Sequence, residues 1–286
     1  MGALRRRGAY VRQSKLTLTA GYTALLLISA MFIIPFVWLL RSSLMDLSQI
    51  FTMPPEWIPK PFHWDNFHRA LTTLPFGTFF TNTLIIVVSV LVGTVVTSSI
   101  AAFGFSRIQW KGRDAIFGIL MSSMMLPAAV TLIPSFLGWK MLGFYDTYYP
   151  LIVPAYFGGG IFNIFLLRQF YLTIPRDFDE AAFVDGATYF QIYMRIIMPL
   201  SRSVLIVVSL FSFLGSWNDF MGPLIYVKSD SLFTLALGLQ MFQGTYTAQW
   251  DLLMAASAAV VLPCVIVFLI GQRYFLEGIT LTGLKG

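Results

Sequence analysis

Hydrophobic positions in this chain fall into six long runs separated by more polar segments. The runs cover residues 16–40, 79–103, 115–137, 148–170, 203–226 and 252–272. Each is long enough to cross the hydrocarbon core of a bilayer as a helix, which needs about 20 mostly apolar residues. Because the bilayer core holds no water, a crossing segment must satisfy its own backbone hydrogen bonds, as a helix does. The pattern predicts an all-α membrane protein with six transmembrane helices.

Two of the runs contain residues that disturb a regular helix. Pro127 and Pro134 in the third run predict kinks, because proline cannot donate a backbone hydrogen bond. Gly158, Gly159 and Gly160 in the fourth run predict either a bend or a close approach of two helices. The three glycines do not match the pattern of a phosphate-binding loop.

Composition supports a membrane location and excludes other classes. Of the 286 residues, 57% are hydrophobic and 11% are charged, and the mean hydropathy is +0.75. A soluble domain usually has about 25% charged residues. The net charge of +6 does not indicate nucleic acid, because basic residues also collect in the cytoplasmic loops of membrane proteins. The one cysteine, Cys264, excludes a disulfide framework or a cysteine metal site within the chain.

The distribution of lysine and arginine predicts the orientation of the helices. The N-terminal segment 1–15 is basic and has no acid, and its charges are Arg5, Arg6, Arg7, Arg12 and Lys15. With both termini in the cytoplasm, 14 of the 19 basic residues lie on the cytoplasmic side, as the positive-inside rule expects. We divide the chain into a cytoplasmic tail (1–15), a six-helix transmembrane domain (16–276) and a cytoplasmic C-terminal tail (277–286). The first run is too long for a signal peptide and ends without a cleavage site.

The longest amphipathic segment, residues 175–199, lies between the fourth and fifth runs. Asp177 and Glu180 have the spacing of a helix N-cap and its capping-box acid. Gly186 has the position of the positive-φ residue that commonly ends a helix. A second apolar-periodic stretch continues to Pro199. The segment predicts a helix, a sharp turn and a second helix outside the bilayer.

The first helix of this segment has a face with little side-chain bulk, because Ala181 and Ala182 follow each other. Such a face is suited to close docking in a groove of another protein. The charge distribution places the segment on the cytoplasmic side. We therefore predict a cytoplasmic coupling helix between transmembrane helices four and five.

A polar cluster lies within the fifth run, where Trp217, Asn218 and Asp219 follow one another. A carboxylate inside a transmembrane helix costs roughly 3 kcal/mol and usually faces a cavity or a partner. One interpretation is that Asn218 and Asp219 line a translocation path or its gate. The other is a structural polar contact between helices. The sequence leaves both open.

Residues for catalysis are scarce. Neither a Gly-x-x-x-x-Gly-Lys-Ser/Thr nor a Gly-x-Gly-x-x-Gly sequence occurs, so the chain has no loop for ATP phosphates. Both histidines, His63 and His68, lie in the connection of residues 41–78, and their spacing does not match a helical metal pair. We predict no catalytic residue, no metal ligand and no cofactor in this chain. A partner protein must then supply the energy.

Segment 175–199 resembles the cytoplasmic loop that defines the membrane subunits of binding-protein-dependent ABC importers. The family pattern is Glu-Ala-Ala, three residues, Gly, nine residues, Ile, one residue and Leu-Pro. The corresponding residues here are Glu180-Ala181-Ala182, Gly186, Ile196 and Met198-Pro199. Methionine in place of leucine is a mild change in apolar packing.

Two further stretches are similar to the carbohydrate subfamily of these importers. They are Trp217-Asn218-Asp219 with Pro223, and residues 273–278 with the terminal Lys285-Gly286. The chain is identified as a member of this family and is similar to the smaller membrane subunit of the maltose-type transporters. The similarity covers all six predicted helices.

The resemblance implies a permease subunit in the bacterial plasma (inner) membrane, forming half of a translocation pathway for a sugar or oligosaccharide. It implies a heterodimer with a second homologous membrane subunit, two ATPase subunits that bind ATP and Mg, and an extracytoplasmic substrate-binding protein. The coupling loop would contact an ATPase through Glu180, Ala181, Ala182, Asp185, Gly186, Ile196 and Pro199. Residues 280–286 would reach between the ATPases.

Two alternatives remain open at this point. An importer subunit could carry another solute, such as glycerol phosphate, because the motifs do not identify the substrate. A channel or a membrane-bound enzyme is a different class. Such a protein would leave the Glu-Ala-Ala loop unexplained, and the sequence shows neither a selectivity-filter loop nor catalytic residues.

Overall fold

The computed structural model describes the backbone of residues 15–244 and 248–283, and the side chains of residues 18–244 and 248–274. All regular structure within these ranges is helical. The α-helices are α1 (Lys15–Ser42), α2 (Leu47–Ile50), α3 (Asp65–Thr73), α4 (Phe76–Ser106), α5 (Arg113–Ser123), α6 (Ala128–Met141), α7 (Tyr149–Ile152), α8 (Ile161–Thr173), α9 (Asp177–Val184), α10 (Tyr189–Ile192), α11 (Met198–Leu200), α12 (Arg202–Trp217), α13 (Met221–Tyr226), α14 (Leu235–Met241) and α15 (Trp250–Gly283). Two 3-10 helices (Val153–Tyr156, Asp230–Leu232) and one π-helix (Tyr193–Ile197) lie between them.

Four helical segments are long and apolar enough to cross a membrane. They are Leu18–Ser42, Phe76–Ser106, Tyr149–Thr173 and Trp250–Tyr274. Two further pairs meet that criterion only when each is taken as one bent span: α5 with α6, at 97°, and the Tyr189–Leu200 segment with α12, at 79°. The described residues thus contain four to six spans by length and composition. This confirms the predicted all-helical membrane class.

The third predicted run is broken rather than gently kinked. Helix α5 ends at Ser123, and Pro127 precedes α6 in an extended conformation. A proline has no N–H with which to continue the hydrogen-bond ladder and disfavours the helical conformation of the residue before it, so Pro127 favours an interruption between α5 and α6. The result is the 97° bend between α5 and α6. Pro134 lies inside α6.

Regular helix is interrupted in the fourth run at Gly158, Gly159 and Gly160, all of which have positive φ. A Cβ atom placed on Gly159 would lie 2.5 Å from the carbonyl oxygen of Thr94 in α4. The turn therefore approaches the backbone of α4 more closely than any side chain would allow. Of the two predicted alternatives, the structure shows the close approach, at Gly159.

The fifth run does not form one helix, because α12 ends before Asn218. The side-chain amide and the backbone N–H of Asn218 both donate to the carbonyl of Leu214, at 2.8 and 3.2 Å. The carboxylate of Asp219 accepts from the backbone N–H of Gly222 at 3.0 Å. Such local bonds compete with the helical ladder. The prediction that the whole cluster lies within a transmembrane helix is wrong for Asn218 and Asp219, which lie in the connection between α12 and α13, whereas Trp217 is the last residue of α12.

Helix α4 lies at the centre of the fold. It packs against α8 and α12, and α12 packs against α15. One buried apolar cluster, around Phe79 and Trp217, lies toward the N-terminal end of α4. A second cluster, around Phe103 and Tyr171, lies toward its C-terminal end and includes residues of segment 175–199. Segment 175–199 therefore packs near the C-terminal end of α4.

Two connections near the N-terminal end of α4 are held together by Asp146. Its carboxylate accepts from the backbone N–H groups of Lys228 and Ser229, at 2.8 and 2.9 Å, and from the Ser229 hydroxyl. The same connection reaches α4, because Asn82 donates to the carbonyl of Ser231. The hydrogen bond from the Ser229 hydroxyl, followed by the two backbone bonds, lowers the pKa of the Asp146 carboxyl below its usual value.

Candidate functional site

The first helix of segment 175–199 is stabilised at its start by charge and not by a cap. Helix α9 follows Arg176, which makes no side-chain cap hydrogen bond. The predicted capping box of Asp177 and Glu180 is wrong, because Asp177 already lies in the first helical turn. Asp177, Asp179 and Glu180 all occupy this turn. Carboxylates there are favoured by the partial positive charge at the helix N-terminus, by about 0.3–1 kcal/mol each.

The turn after α9 is a Schellman motif, and Gly186 has the φ of +77° that this motif requires. The backbone N–H of Gly186 donates to Phe183 at 3.0 Å, and that of Ala187 donates to Ala182 at 2.9 Å. No atom lies within 4 Å of a Cβ placed on Gly186. Glycine is therefore required here by the backbone angle alone, as the sequence predicts.

The second helix of the segment begins with a capping box that the sequence analysis did not identify. The hydroxyl of Thr188 accepts from the backbone N–H of Gln191 at 3.3 Å, and the Gln191 side chain accepts from the backbone N–H of Thr188 at 2.8 Å. These two bonds fix the direction in which the chain leaves the Gly186 turn.

A π-helix, Tyr193–Ile197, follows α10. The hydroxyl of Tyr193 lies 2.7 Å from that of Ser99 in α4, and its ring centre lies 5.3 Å from that of Phe103. Ile197 is also fully buried. Single-turn π-helices are frequent at functional sites. Here the π-turn coincides with the side chains that attach the second half of the segment to α4.

The first half of the segment is attached to α4 by a buried ion pair. The guanidinium of Arg107, the residue that ends α4, donates to the carboxylate of Asp179 at 2.9 Å. It also donates to the carbonyls of Tyr171 and Ile174 at the end of α8. The sequence analysis named neither member. The available signals were the first basic residue after the second run and an extra acid beside Glu180.

The predicted contact residues differ in exposure. Glu180, Ala181, Asp185, Gly186 and Pro199 are exposed. Ala182 and Ile196 are half-buried and pack inward against the second apolar cluster. The structure therefore separates a set of surface positions from two positions that support the segment from beneath.

The segment also exposes large apolar side chains that the sequence analysis did not single out. Val184 is 89% exposed, Phe190 71% and Phe178 49%. A cavity of about 240 Å³ lies beside the Gly186 turn and is lined in part by Arg195. Exposed apolar groups beside a polar cavity are typical of a surface that binds another protein. We call residues Phe178, Glu180, Ala181, Val184 and Phe190 the exposed face of the segment.

The cluster around Trp217 divides into two environments. The Trp217 ring is buried, stacks on Phe213 and donates from Nε1 to the carbonyl of Val260 at 3.2 Å. Asn218 is exposed and, with Gln240, lines a cavity of about 280 Å³. Asp219 is half-buried at the start of the α13 turn. Trp217 and Asn218 both line this cavity, but Asn218 is exposed whereas Trp217 is buried in the apolar core.

Among the described residues, no group of three or more His, Cys, Asp or Glu side chains could hold a metal ion. The arrangement around segment 175–199 consists of an exposed helix, a rigid turn and buried attachments to α4. It is suited to contact with a partner protein and to transmission of movement, both of which require geometry and no bond-making group.

Comparison with known proteins also indicates a membrane subunit that works with a partner protein. The family described as "Binding-protein-dependent transport system inner membrane component" matches residues 93–280. The arabinooligosaccharides transport system permease protein AraQ of Bacillus subtilis is 32% identical over 91% of this chain and 93% of its own. The trehalose/maltose transport system permease protein MalG of Thermococcus litoralis is 31% identical over 91% of this chain and 94% of its own. A chain from the crystal structure of a bacterial ABC transporter involved in the import of alginate superimposes with a TM-score of 0.80, at 21% identity, over 92% of this chain and 99% of that one.

The fold and the exposed loop define a multi-pass helical membrane subunit that works with partner proteins. The chain belongs to the family of binding-protein-dependent transport system inner membrane components. It is a permease subunit of an ABC transporter in the inner membrane and is not itself an enzyme. This confirms the family that the Glu-Ala-Ala loop indicates.

Proposed function

We propose that this chain forms half of the translocation pathway of an importer for a sugar or oligosaccharide. The names of two relatives that match about nine tenths of the chain refer to arabinooligosaccharides and to trehalose and maltose. The transporter of similar fold imports alginate, a polysaccharide. Carbohydrate is the chemistry common to these substrates, and this supports the substrate class proposed here.

The observation that carries the proposal is the construction of segment 175–199. Its exposed face combines apolar side chains with the carboxylate of Glu180, and its turn is fixed by Gly186. Both of its halves are attached to α4 by buried polar contacts. A segment built in this way can bind a partner and move with a transmembrane helix. We place it, and both termini, on the cytoplasmic side because 14 of the 19 basic residues then lie there.

In this proposal two ATPase subunits bind ATP and Mg and hold the exposed face in a groove. Glu180 accepts a charge-assisted hydrogen bond from the ATPase, Ala181 allows close approach, and Asp185 lies at the edge of the Gly186 turn. Ala182 and Ile196 keep the segment in position from beneath, and Pro199 is an exposed contact position at its end. Closure of the ATPases on ATP then displaces the segment and changes the side to which the pathway is open, which is coupling between two states.

The remaining partners are a second homologous membrane subunit and an extracytoplasmic substrate-binding protein. The family name, which specifies dependence on a binding protein, supports the latter. Asn218, beside its cavity, is the residue of the Trp217–Asp219 cluster best placed to line the pathway or its gate. The N-terminal tail 1–14 and residues 284–286 lie outside the described residues, and the proposed position of the C-terminal tail between the ATPases rests on the resemblance alone.

The test is ATP hydrolysis by the complete transporter in vesicles, with and without sugar-loaded binding protein. Glu180→Lys places a cation at the positive end of α9 and opposite the proposed ATPase donor. We expect stimulation by the binding protein and sugar uptake to fall to background. Glu56→Lys, a charge reversal at another exposed acid in the 41–78 connection, is the matched control. Full stimulation in Glu180→Lys would refute the coupling role, and uptake of a non-sugar ligand would refute the substrate class.

A further inference from the structure

Arg107 is the point at which three helices of this subunit meet. It ends α4, and its guanidinium reaches two carbonyls after α8, those of Tyr171 and Ile174, and the carboxylate of Asp179 in the first turn of α9. The two charged residues are separated by 72 positions along the chain. The side chain of Arg107 is 3% exposed and that of Asp179 is 13% exposed. Solvent therefore screens this pair little, unlike a surface ion pair.

Glu180 of the exposed face and Asp179 of the ion pair lie on different sides of the same helical turn. Asp179 and Glu180 are adjacent in sequence, yet Asp179 is buried against α4 whereas Glu180 is exposed. Successive residues on a helix point about 100° apart, so one turn can contact a partner with one side chain and a transmembrane helix with the other. A movement imposed on the exposed side must pass through this turn before it reaches the membrane-spanning part.

The contact between the two charged groups uses only part of their hydrogen-bonding capacity. One nitrogen of Arg107 bonds one oxygen of Asp179, while Nε of Arg107 and Oδ1 of Asp179 are buried and have no partner among the described residues. Arginine and a carboxylate commonly form two parallel bonds. Here a single bond joins the pair, because Nη2 of Arg107 already donates to the carbonyls of Tyr171 and Ile174.

We propose that the Arg107–Asp179 pair is the positioning contact that makes α4 follow α9. The inference rests on the proposed function, in which a partner ATPase displaces α9. The pair contacts neither the ATPase nor the substrate. Its role is to convert a displacement of the exposed face into a displacement of the helix at the centre of the fold. Loss of the pair should leave α9 able to bind the ATPase while the pathway no longer responds.

The first test uses the complete transporter with Asp179→Asn, which keeps the shape of the side chain and removes its charge. We expect the ATPase to co-purify as it does with the unaltered chain, and stimulation by loaded binding protein to fall about fivefold or more, the lower end of typical coupling. Asp177→Asn is the matched control, because Asp177 is an exposed acid in the same helical turn. Unchanged stimulation in assembled Asp179→Asn complexes would overturn the proposal.

A distance measurement separates transmission from a merely structural role. Spin labels are placed at Asp177 in α9, which is exposed and outside the face proposed to bind the ATPase, and at the exposed Ile100 in α4, in a Cys264→Ala background. In the otherwise unaltered chain we expect the same distance with and without bound ATP, because the two helices move together. With Asp179→Asn we expect ATP to add a second peak to the distance distribution, because α9 then moves without α4. If ATP leaves the distance unchanged in the variant as well, α4 follows α9 without the pair and the proposal fails.

Two further variants keep the result interpretable. If Asp179→Asn lowers the yield of the complex, Asp179→Glu retains the carboxylate that pairs with Arg107, and we expect it to restore stimulation at least in part. Assembled Asp179→Glu complexes that are stimulated no better than Asp179→Asn would count against the pair. The double variant Arg107→Gln with Asp179→Asn should lose no more stimulation than the more affected single variant, because two members of one contact are not additive. Should Glu180→Lys also retain stimulation, the proposed function itself fails. If only Asp179→Asn retains it, this inference alone fails.

Discussion

The hydroxyl groups of Ser99 and Tyr193 lie 2.7 Å apart in the interior of the protein, although 94 positions separate them in the chain. Ser99 is on α4, eight residues before Arg107, which corresponds to about 12 Å along a helix. Segment 175–199 is thus attached to α4 at two separated points, through Asp179 in its first half and Tyr193 in its second. Two attachment points fix the orientation of the segment relative to α4, which a single point would not.

Removal of the Tyr193 hydroxyl should weaken this attachment without disturbing the packing. Tyr193→Phe retains the ring contact with Phe103 and loses the hydrogen bond to Ser99, so we expect a loss of about 0.5–1.5 kcal/mol in stability. Thermal unfolding in detergent measures this. The exposed Tyr189→Phe serves as the control and should be neutral. Equal melting temperatures for both variants would show that the buried hydrogen bond contributes nothing.

Substitution of Gly186 should act through the backbone angle alone, since φ is +77° and the space around a Cβ atom is open. Gly186→Ala should cost about 1–2 kcal/mol, the usual penalty of the left-handed region for an L-residue. Gly186→Val should be worse, and Gly186→Asn milder, because asparagine tolerates this region. We expect co-purification of the ATPase to be reduced least by Gly186→Asn, more by Gly186→Ala and most by Gly186→Val.

The control for the Gly186 series is Gly118→Ala. Gly118 lies inside α5, has no positive φ and also has no atom within 4 Å of a Cβ atom. Alanine should be neutral or stabilising there, because it loses less backbone freedom on folding. If Gly118→Ala and Gly186→Ala reduced co-purification of the ATPase equally, the effect at Gly186 would not result from its positive φ.

Gly159→Ala should be more damaging than Gly186→Ala. A Cβ atom there would approach the carbonyl oxygen of Thr94 to 2.5 Å, and φ is +63°. Overpacking against backbone costs about 1–3 kcal/mol and the backbone angle adds a similar amount. We expect a large fall in the yield of folded protein, measured by size-exclusion chromatography. A normal yield would mean that the turn and α4 can separate.

Asp146 should make stability depend on acid pH. The Ser229 hydroxyl, followed by the backbone N–H groups of Ser229 and Lys228, holds the pKa of its carboxyl below 3.8 in the folded state. The resulting stabilisation is fully present above the unfolded value and is lost as pH falls through the folded value. Melting temperatures between pH 7 and pH 3 should therefore fall more steeply for the unaltered chain than for Asp146→Asn. Asp230→Asn, an exposed acid in the same connection, is the control.

Trp217 and Asn218 should give different defects although they are adjacent. Trp217→Ala removes a buried ring, and we expect a loss of about 3–5 kcal/mol and poor assembly. Asn218→Ala affects an exposed side chain at the cavity shared with Gln240, so stability should change by less than about 0.5 kcal/mol. Reduced sugar uptake by a fully assembled Asn218→Ala transporter would support a pathway role. Unchanged uptake would assign Asn218 to the α12–α13 connection alone.

Much of the site could be predicted because its determinants are close together in the sequence. The order Glu180, Ala181, Ala182 and Gly186 specifies a short helix and its positive-φ end through neighbouring residues alone. The predicted capping box of Asp177 and Glu180 is wrong because neighbouring residues alone did not decide where the helix begins. The acids at positions 177 to 180 are equally consistent with a cap and with a charged first turn, and only the backbone conformation of Arg176 distinguishes the two.

The sequence by itself determined the membrane class, the number of apolar runs and the location of the amphipathic segment 175–199, because hydrophobicity and turn chemistry act over a few neighbouring residues. Only the tertiary structure decided that Asp179 faces Arg107 and that Asn218 ends a helix. Apolar runs packed side by side do not specify which polar groups meet between them. That depends on the rotation and depth of each helix against α4, to which residues far apart in the chain contribute together.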